Sequence, residues 1–348
     1  MEMLVFKHVC TQTLKINSIF VKLFKRNYVQ AVLQSTSKNL HPYQQIHPWK
    51  SLDEFSEELV NNVIYNKDGL VAINKPYGIS VDRVNVQKVV HRIANNVKYT
   101  IYDALPHIAK QLNFSGLTII RKPEKYMTGI MLLAANPTVI RKVNHALGRN
   151  TNAKTYWVIT TAIPNQTEGT ERLQMERLSK SKKDQSTRIE MKQRTSKNAF
   201  KKDNVKVLNV SFKVLSTSKS TSSSLVEITS TTNKDHAVRL FASTFLYSPV
   251  LGDNLMGSRV RKVGNTYIKV DPSVKLSYLP PKLDKQVYRL LGLRESQQEI
   301  IPVHIHLRSI TLLSYLKNKE TLTINAPIIP PFDWAYKQFH FQDSMENK

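Results

Sequence analysis

Apolar and polar positions along this chain form short blocks, and each block predicts one helix or strand. Helical spacing of apolar residues occurs at 100–112 and 137–147, and an acidic stretch at 53–58 predicts a further short helix. Other apolar runs have the length and composition of strands. These runs are 69–74, 117–121, 129–135, 154–163, 205–215 and 224–230.

The order of these elements indicates the fold class. Strands and helices follow one another without a regular β-α-β repeat, which favours a mixed or mainly antiparallel sheet with helices packed on it. No apolar run reaches the roughly 18 residues that a bilayer requires, so we expect no membrane span. The only cysteine is Cys10, which excludes an internal disulfide framework and a Cys-rich zinc site.

The net charge indicates the class of partner. The chain has 51 Lys and Arg against 26 Asp and Glu, a formal charge of +25. A surplus of this size repels itself and favours binding to a polyanion. Nucleic acid is the leading candidate, because an anionic membrane surface would normally be met by a basic amphipathic helix or a lipid anchor.

Residues 1–45 differ in composition from the rest of the chain. They contain six basic residues and one acidic residue, interleaved with apolar positions at roughly helical spacing. This composition is typical of a mitochondrial transit peptide. The alternative is a basic N-terminal arm that binds RNA directly. Without this segment the chain keeps most of its positive charge, so the body of the protein is basic as well.

A second basic segment lies inside the body of the protein. Between residues 172 and 206 there are 12 basic residues and four acidic residues. We interpret about 172–206 as a solvated basic insertion in loop conformation, which would raise affinity for phosphate backbones without reading sequence. The alternative is a mobile insertion without a role.

Three separated blocks carry motifs in a defined order. They are Asp68–Val81 with its Asn-Lys-Pro-Tyr-Gly turn, Ile120–Asn136 followed by Lys154-Thr155-Tyr156, and Asn233–Arg239 followed by Pro249–Asp253. His306 and Ala326-Pro327 form a weaker fourth match. Together the blocks resemble the signatures of RluA-type pseudouridine synthases. They are most similar to the mitochondrial mRNA pseudouridine synthase branch, whose catalytic block is degraded.

The resemblance implies a fold and a reaction. It implies the α+β pseudouridine synthase catalytic fold over 46–335, with a mixed, mainly antiparallel central sheet, flanking helices and a cleft, and 336–348 as a C-terminal tail. The family breaks the glycosidic bond of uridine, rotates the base and rejoins it through C5, using an aspartate and no cofactor. We therefore expect no cofactor. The chain also shows no His or Cys spacing typical of a metal site.

By the same resemblance, three residues occupy the family's catalytic positions. Glu124 stands where the family has its aspartate, Arg239 matches the arginine that pairs with it, and Tyr156 matches the tyrosine that packs against the target base. Glu124 is a departure, because one extra methylene displaces the carboxylate by roughly 1 Å. Three alternatives stay open: a surface carboxylate for Glu124, a solvated side chain for Arg239 and an ordinary core position for Tyr156.

Five further residues are predicted to contact RNA, because they are cationic or polar and lie in the matching blocks: Lys75, Arg121, Lys122, Lys234 and His236. The alternative for Lys75 is a residue that ends a strand at a turn. The alternative for His236 is a structural hydrogen-bonding residue.

Three polar residues near the motifs are expected to be structural. Asp253 follows Leu-Gly, and its carboxylate is expected to organise a turn. His304 and His306 are two apart on a predicted strand and share one side. Because no further ligands accompany them, we expect a core or surface role rather than a metal site.

The leading functional hypothesis is isomerisation of uridine to pseudouridine in mitochondrial mRNA or rRNA, in the mitochondrial matrix. Ribosome-assembly or RNA-granule proteins are further candidate partners. The first alternative is a catalytically impaired RNA-binding pseudoenzyme in mitochondrial rRNA or ribosome assembly. The second is a structural mitoribosomal protein whose basic surface only binds RNA.

Overall fold

The structure is a computed structural model of the chain. It describes residues 40–81, 98–149, 153–178, 188–194, 205–264, 266–271 and 282–341. The transit peptide predicted for 1–45 lies almost wholly outside these residues. Among the helices in the described part, none combines the length and the apolar character that crossing a bilayer requires.

The helices and strands follow the predicted pattern. The helices are α1 (Leu52–Asn61), α2 (Ile101–Gln111), α3 (Pro137–Arg149), α4 (Ala237–Thr244), α5 (Lys285–Leu290) and α6 (Phe332–Gln338). The strands are β1 (Val63–Lys67), β2 (Leu70–Lys75), β3 (Thr118–Arg121), β4 (Thr128–Ala134), β5 (Lys154–Thr160), β6 (Glu168–Leu178), β7 (Arg188–Lys192), β8 (Val205–Ser218), β9 (Ser223–Ser230), β10 (Val260–Val263), β11 (Thr266–Lys269), β12 (Ile305–Leu312) and β13 (Leu322–Asn325). All three predicted helices and all six predicted strands are confirmed.

Polar side chains fix the starts of the first two helices. The Ser51 hydroxyl accepts a hydrogen bond from the Glu54 amide at 3.1 Å. At the start of α2, the Asp103 carboxylate accepts from the Thr100 amide at 2.8 Å. Such contacts satisfy amides that have no partner within the helix, so each helix starts at a defined residue.

Eleven strands form one sheet in the order β1-β2-β4-β12-β5-β9-β8-β6-β7, with β3 on β4 and β13 on β12. β10 and β11 form a separate hairpin. Among the described strands, only β4 and β12 pair in parallel. The predicted α+β fold with a mixed, mainly antiparallel central sheet is confirmed.

Strands β2 and β4 are buried on both faces, which explains their continuous apolar sequences. Val71 and Ile73 of β2 pack in the cluster that contains Phe55 of α1. Leu70 and Ala72 point to the opposite face, into the large central cluster. The two strands are therefore fixed in register, because a shift of one residue would reverse both faces.

The parallel pairing of β4 and β12 depends on Gly129. This residue has φ 110°, and a Cβ atom there would overlap the backbone of Leu307 in β12. Glycine permits both the backbone conformation and the close approach. The pairing places the start of β4 beside His306, and so fixes the end of the loop that precedes β4.

The charge pattern predicted a solvated loop at 172–206, and the described residues of this segment lie mainly in strands. Residues 172–178 belong to β6, Arg188–Lys192 form β7, and β8 begins at Val205. Leu173 and Met175 are buried on the inner face, and the charged residues alternate with them. Arg172 and Arg177 are exposed, so the basic residues of β6 lie on the solvent side of an amphipathic strand. Residues 179–187 and 195–204 lie outside the described part.

The described residues beyond the predicted C-terminal boundary at residue 335 also pack in the domain. Helix α6 continues to Gln338, and Phe339 and Phe341 are 2% and 6% exposed in a cluster with Trp157. The large aromatic side chains of 336–341 belong to the core, so the domain extends at least to Phe341.

Candidate active site

Glu124 lies in the loop that joins β3 to β4, and this loop is attached to the turn that follows β2. The amide of Gly78 in that turn donates to the Lys125 carbonyl at 2.9 Å, and the Met127 amide donates to the Glu124 carbonyl at 3.1 Å. The first and second sequence blocks therefore meet at Glu124.

Lys75 supports this loop from below. Its ammonium is fully buried and donates to the carbonyls of Pro76, Ile79 and Lys125 at 2.7, 3.3 and 3.2 Å. Burial, together with the charge of Lys125, lowers the pKa of Lys75 to about 7. Lys75 has no exposed surface with which to contact RNA, so that prediction is corrected. The side chain joins the β2 turn to the Glu124 loop.

The Glu124 carboxylate faces two groups from the third sequence block. Its Oε2 atom lies 2.7 Å from Nδ1 of His236 and 3.5 Å from Nη1 of Arg239. Those two nitrogens are 3.3 Å apart. The Glu124 side chain is 21% exposed, so the carboxylate is in contact with solvent on one side and with a cation on the other.

Arg239 is held mainly by a residue that was not predicted as its partner. Its Nε and Nη2 atoms donate to the two carboxylate oxygens of Asp253 at 2.7 and 2.5 Å. Burial would lower the pKa of Arg239, but Asp253 and, more weakly, Glu124 raise it above its usual value. Asp253 also accepts from the amides of Leu255 and Met256, which confirms its expected turn role. The guanidinium is thus a fixed positive charge behind Glu124.

Tyr156 lies on β5 and is 1% exposed. Burial raises the pKa of its phenol, and the charge of Glu124 raises it further. The hydroxyl is therefore protonated at neutral pH and can donate a hydrogen bond, but it is not a ready base. In this conformation the ring is part of the core beneath Glu124 rather than an exposed platform.

A cleft of about 740 Å³ opens beside Glu124. Among its described lining residues are five cations and one carboxylate, that of Glu124. The cations are Arg121, Lys122, Lys125, Lys154 and Lys234. Such a surface attracts a polyanion, because the cations reinforce one another across a concave wall.

Lys154 shows the strength of this positive field. Burial lowers the pKa of Lys154, and the nearby charges of Arg121 and Lys234 lower it further. An anion placed among these three side chains would relieve their mutual repulsion. The cleft is therefore suited to a phosphate group.

The structure brings most of the predicted site residues to one place. Arg121, Lys122 and Lys234 line the cleft, and His236 contacts the carboxylate at its edge. The sequence reading missed Lys154. Its position two residues before Tyr156 on a strand was an available signal, because alternate residues share one face.

His304 and His306 are fully buried, as expected for core residues. His304 Nε2 lies 3.1 Å from the Tyr43 hydroxyl, and His306 Nδ1 lies 2.8 Å from the Thr128 hydroxyl. In the described part of the chain no three His, Cys, Asp or Glu side chains are grouped in a way that could hold a metal ion.

Comparison with known proteins gives consistent results. A family model described as RNA pseudouridylate synthase matches residues 69–244. Pseudouridylate synthase RPUSD4, mitochondrial, of Mus musculus is 26% identical over 316 residues, which cover 87% of this chain and 74% of that protein. Mitochondrial mRNA pseudouridine synthase Rpusd3 of Mus musculus is 25% identical over 292 residues, covering 81% of this chain and 78% of that protein.

A solved structure shares the fold. Human RNA Pseudouridylate Synthase Domain Containing 4 superposes with a TM-score of 0.62 at 24% identity, covering 84% of this chain and 97% of that chain. The central sheet and its flanking helices are therefore those of a known architecture.

Proposed function

This chain belongs to the RNA pseudouridylate synthase family, and we propose that it converts uridine to pseudouridine in mitochondrial RNA with Glu124 as the catalytic carboxylate. The family supports RNA pseudouridylation as the general activity. The named relatives are mitochondrial proteins and one is named for mRNA, which supports a mitochondrial RNA as the substrate. Within that, we propose mRNA or rRNA as the substrate and the matrix as the location.

One observation carries the role of Glu124. Its carboxylate lies at the edge of a cationic cleft, within 3.5 Å of the buried guanidinium of Arg239. A fixed cation behind the carboxylate attracts its negative charge and orients it toward the cleft, and an ionised carboxylate is what this reaction requires at the ribose or base.

The reaction is an isomerisation, so its atoms balance without a cofactor. The bond from C1′ to N1 breaks, a bond from C1′ to C5 forms, C5 loses a proton and N1 gains one. Glu124 acts on the ribose or base, and Arg239 stabilises its charge. Tyr156 supplies packing and a neutral hydroxyl near Glu124, because its raised pKa keeps the phenol protonated.

The cleft would bind the RNA backbone beside the reacting nucleotide. A base in folded RNA has to be unstacked before it reaches Glu124, and contacts to the backbone offset that cost. If all five cleft cations contact phosphates of a single strand, the slope of log K against log salt should be about −3.5. Lys122→Ala should reduce its magnitude by about 0.7.

Two substitutions at Glu124 test the proposal. Glu124→Gln removes the charge and should abolish pseudouridine formation. Glu124→Asp restores the family's residue, but this loop places the longer Glu124 side chain 3.5 Å from Arg239, so the shorter carboxylate should lie roughly 1 Å farther away and kcat should fall about a hundredfold. The assay is pseudouridine mapping in mitochondrial RNA from cells that express each variant. Single-turnover kinetics are then measured on an unmodified transcript that contains a uridine found by this mapping.

Glu57→Gln is the matched control, because Glu57 is an exposed carboxylate on α1 that contacts His107 and lies outside the site. It should give the wild-type pattern of modification. Wild-type pseudouridine levels in the Glu124→Gln cells would show that catalysis does not use Glu124.

A second function is favoured by the partner of Arg239. Because Asp253 binds Nε and Nη2 of that guanidinium, Arg239 would keep its main partner without a working carboxylate, as in an RNA-binding pseudoenzyme of mitochondrial rRNA or ribosome assembly. That alternative predicts RNA binding with the same salt dependence. It also predicts that cells without the protein lose no pseudouridine from their mitochondrial RNA, and that the protein co-purifies with ribosome-assembly or RNA-granule proteins.

A further inference from the structure

The segment before α4 has an unusual backbone. Asp235 has φ 58° and ψ 31°, and His236 has φ 58° and ψ 34°, so two consecutive residues with side chains adopt the left-handed conformation. This conformation is unfavourable for residues other than glycine, although Asp and Asn tolerate it better than most. Neighbouring contacts must therefore hold the turn in place.

The Asp235 carboxylate supplies such contacts. It accepts from Nη2 of Arg177 at 2.8 and 3.0 Å, and from Nζ of Lys206 at 2.9 Å. Burial would raise the pKa of Asp235, but the hydrogen bonds from Lys206 and Arg177 lower it overall, so the group is charged at neutral pH. Arg177 lies on β6 and Lys206 on β8, two paired strands of the central sheet.

We propose that Asp235 is a positioning residue: its ion pairs to β6 and β8 fix the left-handed turn from which His236 holds the Glu124 carboxylate. The inference rests on the proposed catalytic role of Glu124. It also gives a function to two basic residues of the 172–206 segment, because Arg177 and Lys206 support the site from within the sheet rather than from a loop.

The contacts form one continuous chain from the sheet to the cleft. Asp235 is bonded covalently to His236, and His236 Nδ1 lies 2.7 Å from Glu124 Oε2. If the turn relaxes, the imidazole moves and the carboxylate loses its closest partner. A displacement of about 1 Å at a reacting group costs on the order of a hundredfold in rate.

Asp235→Asn is the test substitution. It preserves shape and tolerance of the left-handed conformation, but it removes the charge that holds Arg177 and Lys206. We expect kcat to fall roughly 10- to 100-fold, while KM for RNA changes less than about threefold, because the cleft cations are untouched. A defect confined to RNA binding would raise KM alone.

Glu176→Gln is the matched control. Glu176 neighbours Arg177 on β6, pairs with Lys192, and is 20% exposed against 18% for Asp235. It removes an equivalent ion pair that does not reach the site, so kcat should stay within about twofold of the wild type.

A double variant tests the mechanism of positioning. Arg177→Gln with Lys206→Gln removes the partners and leaves Asp235 intact. It should lower kcat as much as Asp235→Asn, and combining all three changes should cause no further loss, because the groups act through one interaction. Additive losses would contradict positioning through these ion pairs.

A crystal structure of the Asp235→Asn variant gives a measurement that does not depend on activity. The distance from His236 Nδ1 to Glu124 Oε2 should exceed 3.5 Å, the limit of a hydrogen bond. A distance kept at 2.7 Å, or an unchanged kcat, would overturn the proposal. If Glu124→Gln retains activity, the proposed function fails, whereas this distance still decides the role of Asp235.

Discussion

Replacing Asp253 by Asn tests how the buried guanidinium of Arg239 is held. The Arg239 and Asp253 side chains are 2% and 0% exposed, and two hydrogen bonds join them. Asn keeps the shape and an acceptor for the amides of Leu255 and Met256, but it removes the negative charge. A buried charge that loses its partner costs about 3 to 5 kcal/mol, so the free energy of unfolding should fall by that amount.

A double-mutant cycle separates the pair from its surroundings. In an Arg239→Met chain no guanidinium remains and Asp253 is itself an unpaired buried charge, so Asp253→Asn should cost nothing or stabilise the fold, giving a coupling of at least about 3 to 5 kcal/mol. Urea unfolding followed by circular dichroism measures the free energy of unfolding of the wild type, the two single variants and the double variant. Glu176→Gln, which breaks a partly exposed pair, should cost less than about 1 kcal/mol. Equal losses from Asp253→Asn in the wild-type and Arg239→Met backgrounds would refute the reasoning.

Two further predictions concern buried titratable side chains, and a third concerns the close approach of two strands. Burial lowers the pKa of Lys75 to about 7, so the unfolded chain binds that proton more tightly. Stability should therefore rise from about pH 7 to pH 10 by up to about 1.4 kcal/mol per pH unit relative to Lys75→Met, as measured by urea unfolding. Burial lowers the pKa of His304 and of His306 to about 4, so both are neutral when folded. Stability should fall between about pH 6.5 and pH 4 by up to about 3 kcal/mol per histidine, and thermal melts of His306→Asn should show a smaller loss. Gly129→Ala should cost about 3 kcal/mol or more because its Cβ overlaps β12, whereas Gly116→Ala, with open space around it, should be nearly neutral.

Each of these has a clear contrary outcome. Parallel pH curves for the wild type and Lys75→Met would show that the ammonium is not destabilised by burial. If His306→Asn leaves the loss of stability between about pH 6.5 and pH 4 unchanged, groups other than His306 cause the unfolding in acid. Equal stabilities for the two glycine variants would contradict the close approach at Gly129.

The strands and the family were predictable from sequence because their signals are local. The apolar runs of β2 and β4 and the turn at 75–78 depend on neighbouring residues only. Charge composition did not show the strand at 172–178, since it averages over both faces of a strand. Leu173 and Met175, at alternate positions, were the better signal and were hidden among basic residues.

The contacts of the site were harder to predict because they join distant segments. Asp253 has a local role in its turn, and nothing in the sequence shows that its other lone pairs bind Arg239. The burial of Lys75 likewise depends on Lys125, which is 50 residues away and reaches it only through the loop between β3 and β4. Contacts between residues so far apart in sequence are determined by the fold as a whole.

The position of β12 constrains the order in which the chain can acquire its structure. This strand lies between β4 and β5, although it follows them by some 150 residues or more in sequence. Until Ile305–Leu312 has been synthesised and inserted, β5 and the start of β4 at 128–129 present unpaired edges that invite association with other chains. Such long-range closure makes folding slow. A chain ending before residue 305 is therefore expected to depend on chaperones and to aggregate rather than to fold into a smaller domain.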